Sequence, residues 1–455
     1  MTAVLVEPDL RSATPRRPAE RRNAARLPAG WPLYALFFGY PLWWALGLQG
    51  FVWPMFAVPM AFALLRRRAV RVPRGFGIWL LFILWMLVSA LQLQDTSRIL
   101  SFAYRGSLYL SATILLLYVF NLSTERVPTP RIVYALTWLW LATVVGGYAG
   151  ILFPHAEFRS LAEFALPGAL TSNPFIHSLV HPGLAESTHL LGFNLARPKA
   201  PYNYTNEWGS NLAILTPVAA YAFHFIRRRL WRVLLLVALV ASFVPIVLSI
   251  NRGLWLSLSI GILYVVTRTG LRGHARLLFG TLAALALGVA LVVFSPLGHV
   301  VTERFAHPNT QARSELYSEA TDAALESPVL GHGATLPSSD AGPSVGTHGQ
   351  LWTLVVSQGF PGMALFVGFF LVMFLITWRV SLWGLWPHAV LLVALSQLAI
   401  YNMLPVQIHT LAVVIVLAWR DVVARGSAVP AGGLGGVPPS AGTRAVRPRA
   451  ALPGG

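Results

Sequence analysis

The sequence contains no cysteine. Disulfides, thiolate nucleophiles and cysteine metal sites are therefore excluded. Charge is scarce too: Asp, Glu, Lys and Arg make up 11% of the 455 residues, against about 25% in an ordinary soluble domain. Lysine occurs once, at Lys199, and with the high Ala, Gly and Pro content this fits a GC-rich bacterial genome. No P-loop, dinucleotide fingerprint or GxSxG elbow is present. With no nucleotide site visible, an activated, membrane-bound donor is expected to drive any reaction. No His/Asp/Glu set has convincing metal-ligand spacing, so neither an obligatory metal nor a cofactor is expected. Internal repeats, which many secondary transporters carry, are also missing.

What the chain has in abundance is apolar sequence. Hydrophobic residues fill 56% of positions, and apolar runs near bilayer-spanning length recur. They fall at 31–47, 50–65, 75–93, 107–122, 132–153, 208–226, 233–250, 254–267, 277–300, 358–378, 383–401 and 404–419. The expected fold class is an all-α polytopic membrane protein of about twelve transmembrane helices. The formal net charge of +18 does not indicate a nucleic-acid partner, because the arginines sit in short clusters between apolar runs. They group at 66–74, 126–131, 227–232, 268–276, 379 and 420–425. Counted from a cytoplasmic N-terminus, every cluster lands inside, as the positive-inside rule requires. Both termini are then cytoplasmic, in a bacterial inner membrane. The polar stretches 1–30 and 420–455 read as disordered tails around a 31–419 membrane domain.

The same count leaves two long outer loops, about 154–207 and 301–350. Loops of this length are usually functional. In the second, TQARSELYSEATDAALE (310–326) places Leu316, Ala320 and Ala323 or Ala324 at helical spacing, with Pro328 as a stop. A short amphipathic helix is expected there.

Chemistry-bearing residues concentrate at this outer face. Arg252, in NRG (251–253), lies on the side where topology needs no cation. Its plain reading is a side chain snorkelling to headgroups; its functional reading is a clamp for phosphate or pyrophosphate. Arg304 and Arg313 lie in the second loop, where the plain reading is a solvated surface. His348, in THGQL, is a candidate general base where that loop returns to the membrane; a structural histidine is the alternative. His332 and His307 are weaker candidates. The end of the first loop, ARPKAPYNYTNEWG (196–209), mixes cations and aromatics. Arg197, Lys199, Tyr202, Asn206 and Trp208 there suit a glycan or lipid head group, or an ordinary aromatic belt.

Four segments resemble one family. NRGLWLSLSIGIL (251–263) is similar to the Ser-Arg-Gly-type helix opening of O-antigen ligases and O-antigen polymerases. RSELYSEATDAALESPVLGHGA (313–334) resembles their large-loop pattern. THGQLWTLVVSQGFPGMALF (347–366) resembles their His-Asn-x-x-Leu segment and the helix after it. PYNYTNEWGSNLAILTP (201–217) resembles their Pro-Asn-rich helix start. The resemblance implies a helical membrane bundle that moves a glycan from a polyprenyl-pyrophosphate donor to a hydroxyl of a glycan or glycolipid acceptor, without nucleotide or metal. It implies that Arg252 and Arg313 bind the pyrophosphate and that His348 positions or deprotonates the acceptor; Arg304, in the same loop, is a further candidate for the pyrophosphate. Two departures stand out. Asn251 replaces the family's Ser, and Gly349 replaces the Asn after the histidine. A lipid-linked glycan flippase or exporter is the alternative function, and a catalytically silent scaffold a third.

Overall fold

The computed structural model describes residues 28–172, 174–190, 193–294, 298, 310–337, 345–347 and 349–428. Arg304, His307, His348 and most of both expected tails lie outside these residues, and the side chain of Arg313 is likewise not described. The chain opens with α1 (Trp31–Phe38), α2 (Tyr40–Ala45), α3 (Val52–Leu65), α4 (Phe76–Ser89), α5 (Thr96–Asn121) and α6 (Thr129–Leu152). A small subdomain follows between α6 and the next bundle helix: α7 (Leu161–Ala165), α8 (Gly168–Thr171), α9 (Pro174–Val180) and the strands β1 (Ala185–Leu190) and β2 (Phe193–Pro198). The bundle resumes with α10 (Thr205–Ala222), α11 (Arg229–Ala241), α12 (Phe243–Leu248), α13 (Arg252–Gly270) and α14 (Ala275–Val293). It closes with α15 (Thr310–Glu326), α16 (Gln350–Ile376), α17 (Leu385–Gln397) and α18 (Val406–Ala428).

Every expected apolar run is helical over most of its described length. Local chemistry sets several boundaries. Asp95 caps α5 by accepting from the Ser97 amide at 3.2 Å, and α15 ends at Glu326, two residues before Pro328. The 31–47 run is instead two short helices meeting at Gly39, because Pro41 has no amide to continue the first ladder. Among the described residues, six helices are long and apolar enough to cross a bilayer: α5, α6, Arg229–Leu248, α13, α16 and Val406–Arg425. α3, α4 and α17 are apolar but shorter. The structure is thus that of a mostly helical, multi-pass membrane protein.

Exposure supports that reading. α11 buries Leu235 alone and exposes Leu230, Trp231, Val233, Leu234, Leu236, Val237 and Val240. Apolar surface this continuous is unstable in water and calls for lipid. α10 is the opposite case, buried on nearly every side by α6, α13 and α17.

The two ends of the bundle differ chemically. Arg420 donates to the carbonyls of Val127 (3.1 Å) and Leu122 (2.9 Å). Asn121 binds Arg71 through both its side-chain atoms. Arg272 and Arg425 share the Val380 carbonyl at 3.0 and 2.9 Å. The arginine-rich turns therefore meet at one end and satisfy helix-terminal carbonyls. These contacts carry the last helix to Ala428, beyond the expected boundary at 419.

The 154–207 segment departs from an all-α reading. β1 and β2 form an antiparallel hairpin, with Ala185 opposite Pro198 and Glu186 opposite Arg197. The Phe158 amide donates to Pro182 O and the Leu184 amide to Ala156 O, at 3.0 and 2.9 Å. The subdomain joins the bundle where Ala162 N donates to Leu46 O at 3.1 Å.

Candidate anion-binding site

The site is built around the break between α12 and α13. Ile250 adopts φ +50°, a left-handed conformation that a β-branched residue enters at a cost of about 1–3 kcal/mol. The turn points Asn251 back over the start of α13. Its Oδ1 accepts from the Leu254 amide at 3.3 Å, an N-cap, and also from the Tyr401 hydroxyl. Its Nδ2 donates to Thr205 O at 3.3 Å. One fully buried asparagine thus ties α10, α13 and the α17–α18 turn together. Gly253 permits this: a Cβ there would stand 2.3 Å from the Tyr401 hydroxyl.

β2 supplies the next wall. Arg197 Nε donates to Ser249 O at 2.8 Å, so the guanidinium is anchored to the residue before the strained turn. Opposite Arg197, Glu186 accepts from the Thr205 amide at 3.1 Å, locking the hairpin onto the start of α10.

These contacts bound a small, partly open recess lined by Arg197, Asn206, Ile250, Asn251, Arg252, Gly253, Ile400 and Tyr401. Arg197 and Arg252 both line it, and its described lining residues include no carboxylate. Arg252 is the first residue of α13, so its charge adds to that helix's N-terminal amides and dipole. Such a recess suits a compact polyanion.

Three of the residues expected from sequence, Arg197, Asn206 and Arg252, come together here although they are far apart in the chain. Tyr202 and Trp208 do not join them. Both are 0% exposed, and both bind Thr143 on α6, through the Tyr202 hydroxyl at 2.9 Å and the Trp208 indole N–H at 2.9 Å. Burial drives the Tyr202 phenol far above its ordinary pKa, and the Thr143 hydrogen bond offsets this only in part. Their reading as glycan or lipid contacts gives way to core packing, because α10 turns that face into the bundle. Lys199 lies across Gly183 at the base of the hairpin, outside the recess wall. His332 is structural: its Nε2 pairs with Ala323 O at 2.8 Å and its amide donates to Val356 O at 2.8 Å.

α15, which carries Arg313, docks on α16. Ala320, Ala323 and Ala324 pack with Val345, Val355 and Val356, and Tyr317 stacks on Trp352 with centroids 4.7 Å apart. The following turn seats on the α16 kink at Gly359 (φ +68°), where Phe360 N donates to Pro328 O at 2.9 Å.

The residue after His348 is held firmly. A Cβ on Gly349 would stand 2.6 Å from the Ala399 carbonyl oxygen. The Gln350 amide donates to Tyr401 O, and the Leu351 amide to Leu398 O, both at 2.9 Å. Glycine at 349 is thus a steric requirement of this backbone, which no asparagine satisfies. The same 398–401 segment furnishes Ile400 and Tyr401 to the recess.

Residues 237–367 match the O-antigen ligase family. No curated protein and no solved structure matches the chain. The O-antigen ligase match takes in the strained turn, Arg252, α15 and the start of α16, whereas Arg197, Asn206 and Tyr401 lie outside it. Similarity to this family over these residues points to glycan transfer at a membrane in polysaccharide biosynthesis. Sequence reading missed Asn251 as the hub of the network and Tyr401 as its partner. The one available signal was Asn251 immediately before a helix-opening Arg-Gly pair.

Proposed function

We propose that the protein is a membrane glycosyltransferase that moves a glycan from a polyprenyl-pyrophosphate donor to an acceptor hydroxyl at the outer leaflet, as a polysaccharide ligase or polymerase. The observation that carries this reading is the recess itself. Arg252, inside the O-antigen ligase match, and Arg197, outside it, line one recess at a helix N-terminus.

In this reaction Arg252 and Arg197 bind the pyrophosphate, assisted by Arg313 and Arg304 from the second loop. The acceptor oxygen attacks the anomeric carbon, and the bond from that carbon to the phosphate oxygen breaks. Its electron pair leaves on the polyprenyl pyrophosphate, where guanidinium groups stabilise the growing charge. His348 takes the acceptor proton. A single displacement inverts the anomeric centre, and no step uses a metal. Gly349, the residue after His348 in the chain, packs against Ala399 of the segment that also supplies Ile400 and Tyr401 to the recess.

A leaflet-resolved mass-spectrometric assay of lipid-linked glycan tests this in cells carrying the wild type, Arg252→Ala, His348→Ala or a deletion. Accumulation on the outer leaflet in both variants and the deletion is the expected result. Accumulation on the inner leaflet makes the protein a flippase and overturns the transferase reading. A defect confined to the deletion removes the assigned site residues.

A further inference from the structure

The small subdomain holds a second cluster that the proposed transfer does not use. His177 and His181 are one helical turn apart, and the His181 amide donates to His177 O at 2.8 Å, so both rings leave the same face. The rings stack with centroids 4.7 Å apart and planes 15° from parallel. Glu163, from α7, brings Oε2 to 2.7 Å from His181 Nδ1. Ligand-capable atoms of Glu163, His177 and His181 all lie within 4.8 Å of one another. Glu157 adds a carboxylate oxygen 4.0 Å from His181 Nε2.

The backbone around the cluster is fixed independently of these side chains. Ser160 caps α7 by accepting from the Glu163 amide at 3.2 Å, and its hydroxyl also donates to Val180 O. Glu157 forms a β-bridge to Gly183. Arg159 Nε occupies the other Glu163 oxygen at 3.3 Å, leaving Oε2 toward the histidines.

We propose that His177, His181 and Glu163 form a binding site for a zinc-class divalent ion, with Glu157 or water completing the coordination. Two imidazoles and a carboxylate are the ligand set that Zn²⁺ and its late first-row neighbours prefer, whereas Mg²⁺ and Ca²⁺ favour all-oxygen cages. A tetrahedral zinc holds its ligand atoms roughly 3.4 Å apart. His177 is exposed, so its side chain can turn to close the remaining gap. The pairing of Glu163 with His181 explains two of the residues without a metal; it gives no reason for the stacked His177.

The ion's role follows from what it joins. It would fasten residues 157–163 to 177–183, the segment leading into β1. Lys199 N donates to Leu184 O at 3.0 Å, so the same fastening extends to the base of β2, the strand that carries Arg197. The site is a staple for the hairpin and does not depend on the transferase reading.

The test is Zn²⁺ binding to the full-length protein, purified in detergent without a histidine tag and stripped by a chelator. Affinity is read by competition with a chromophoric chelator, and geometry by the visible spectrum of the Co²⁺ form. The expected result is one equivalent bound by wild type, weakened at least tenfold in His177→Ala and in Glu163→Gln, and unchanged in His155→Ala. A tetrahedral Co²⁺ spectrum should be lost in the same two variants. His177 is exposed, so His177→Ala remains informative even if Glu163→Gln fails to fold. Failure of the wild type to bind Zn²⁺, or weakening of less than tenfold in His177→Ala, overturns the proposal.

Discussion

The strained turn at 249–253 and the helix α15 each carry an arginine that family resemblance assigns to the donor, yet the two are held in different ways. The turn is fixed by polar contacts: Asn251, buried, engages Leu254, Thr205 and Tyr401, and Arg197, partly buried, grips Ser249 O. α15 is held mainly by an apolar patch of three alanines against three valines, by one aromatic stack and by a single hydrogen bond from His332 at Ala323 O. Buried polar networks specify a single arrangement, and losing one member leaves the others unsatisfied. A small apolar patch holds less tightly, because each alanine buries little area. The turn is therefore a rigid wall, and α15 is the element easier to displace.

The largest effect is expected at the wall. Arg252→Ala should lower glycan transfer by about 10²–10³-fold, the usual cost of one transition-state donor. Arg252→Lys should recover only part of this, because an ammonium cannot form the guanidinium's paired hydrogen bonds. Both are read in a transfer assay with lipid-linked donor. A larger loss for Arg313→Ala than for Arg252→Ala would reverse the ranking of wall and helix.

Asn251→Ala comes next. It removes the α13 cap and the hydrogen bonds of Asn251 to Tyr401 and Thr205, a cost of about 2–3 kcal/mol, measured by chemical denaturation in detergent. A stability within about 0.5 kcal/mol of wild type would mean that the polar network is not what holds the turn. Gly349→Asn restores the family residue but forces a side chain against Ala399 O; a loss of about 1–3 kcal/mol is expected from overpacking. A gain in activity without destabilisation would argue that this backbone has room for the family asparagine. The smallest effect belongs to α15. A double-mutant cycle on Tyr317 and Trp352 should give a coupling of about 0.5–1.5 kcal/mol, and zero coupling would shift the docking of this helix to the patch around Ala320, Ala323 and Ala324.

Much of this was legible in the sequence. The apolar runs located the helices, because spanning a hydrocarbon layer demands length and apolarity that composition alone displays. The spacing of Ala320, Ala323 and Ala324 gave the buried face of α15, and Pro328 its end. Arg252 stood out because, on the expected topology, a cation at that turn serves no positive-inside purpose. Other features were hidden. Tyr202 and Trp208 look like belt aromatics until α10 is seen packed on all sides. His177 and His181 look ordinary until α7 brings Glu163 beside them.

By itself, then, the sequence determined that the chain is a multi-pass helical membrane protein, where its helices lie and which loops are rich in polar chemistry. Periodicity, hydropathy and charge clustering are local properties, readable without knowing which segments touch. The tertiary structure alone decided that Arg197, Asn206 and Arg252 share one recess, that Asn251 and Tyr401 brace it, and that position 349 has space only for glycine. Those facts depend on contacts between segments separated by up to 150 residues, and such contacts are set by how helices pack.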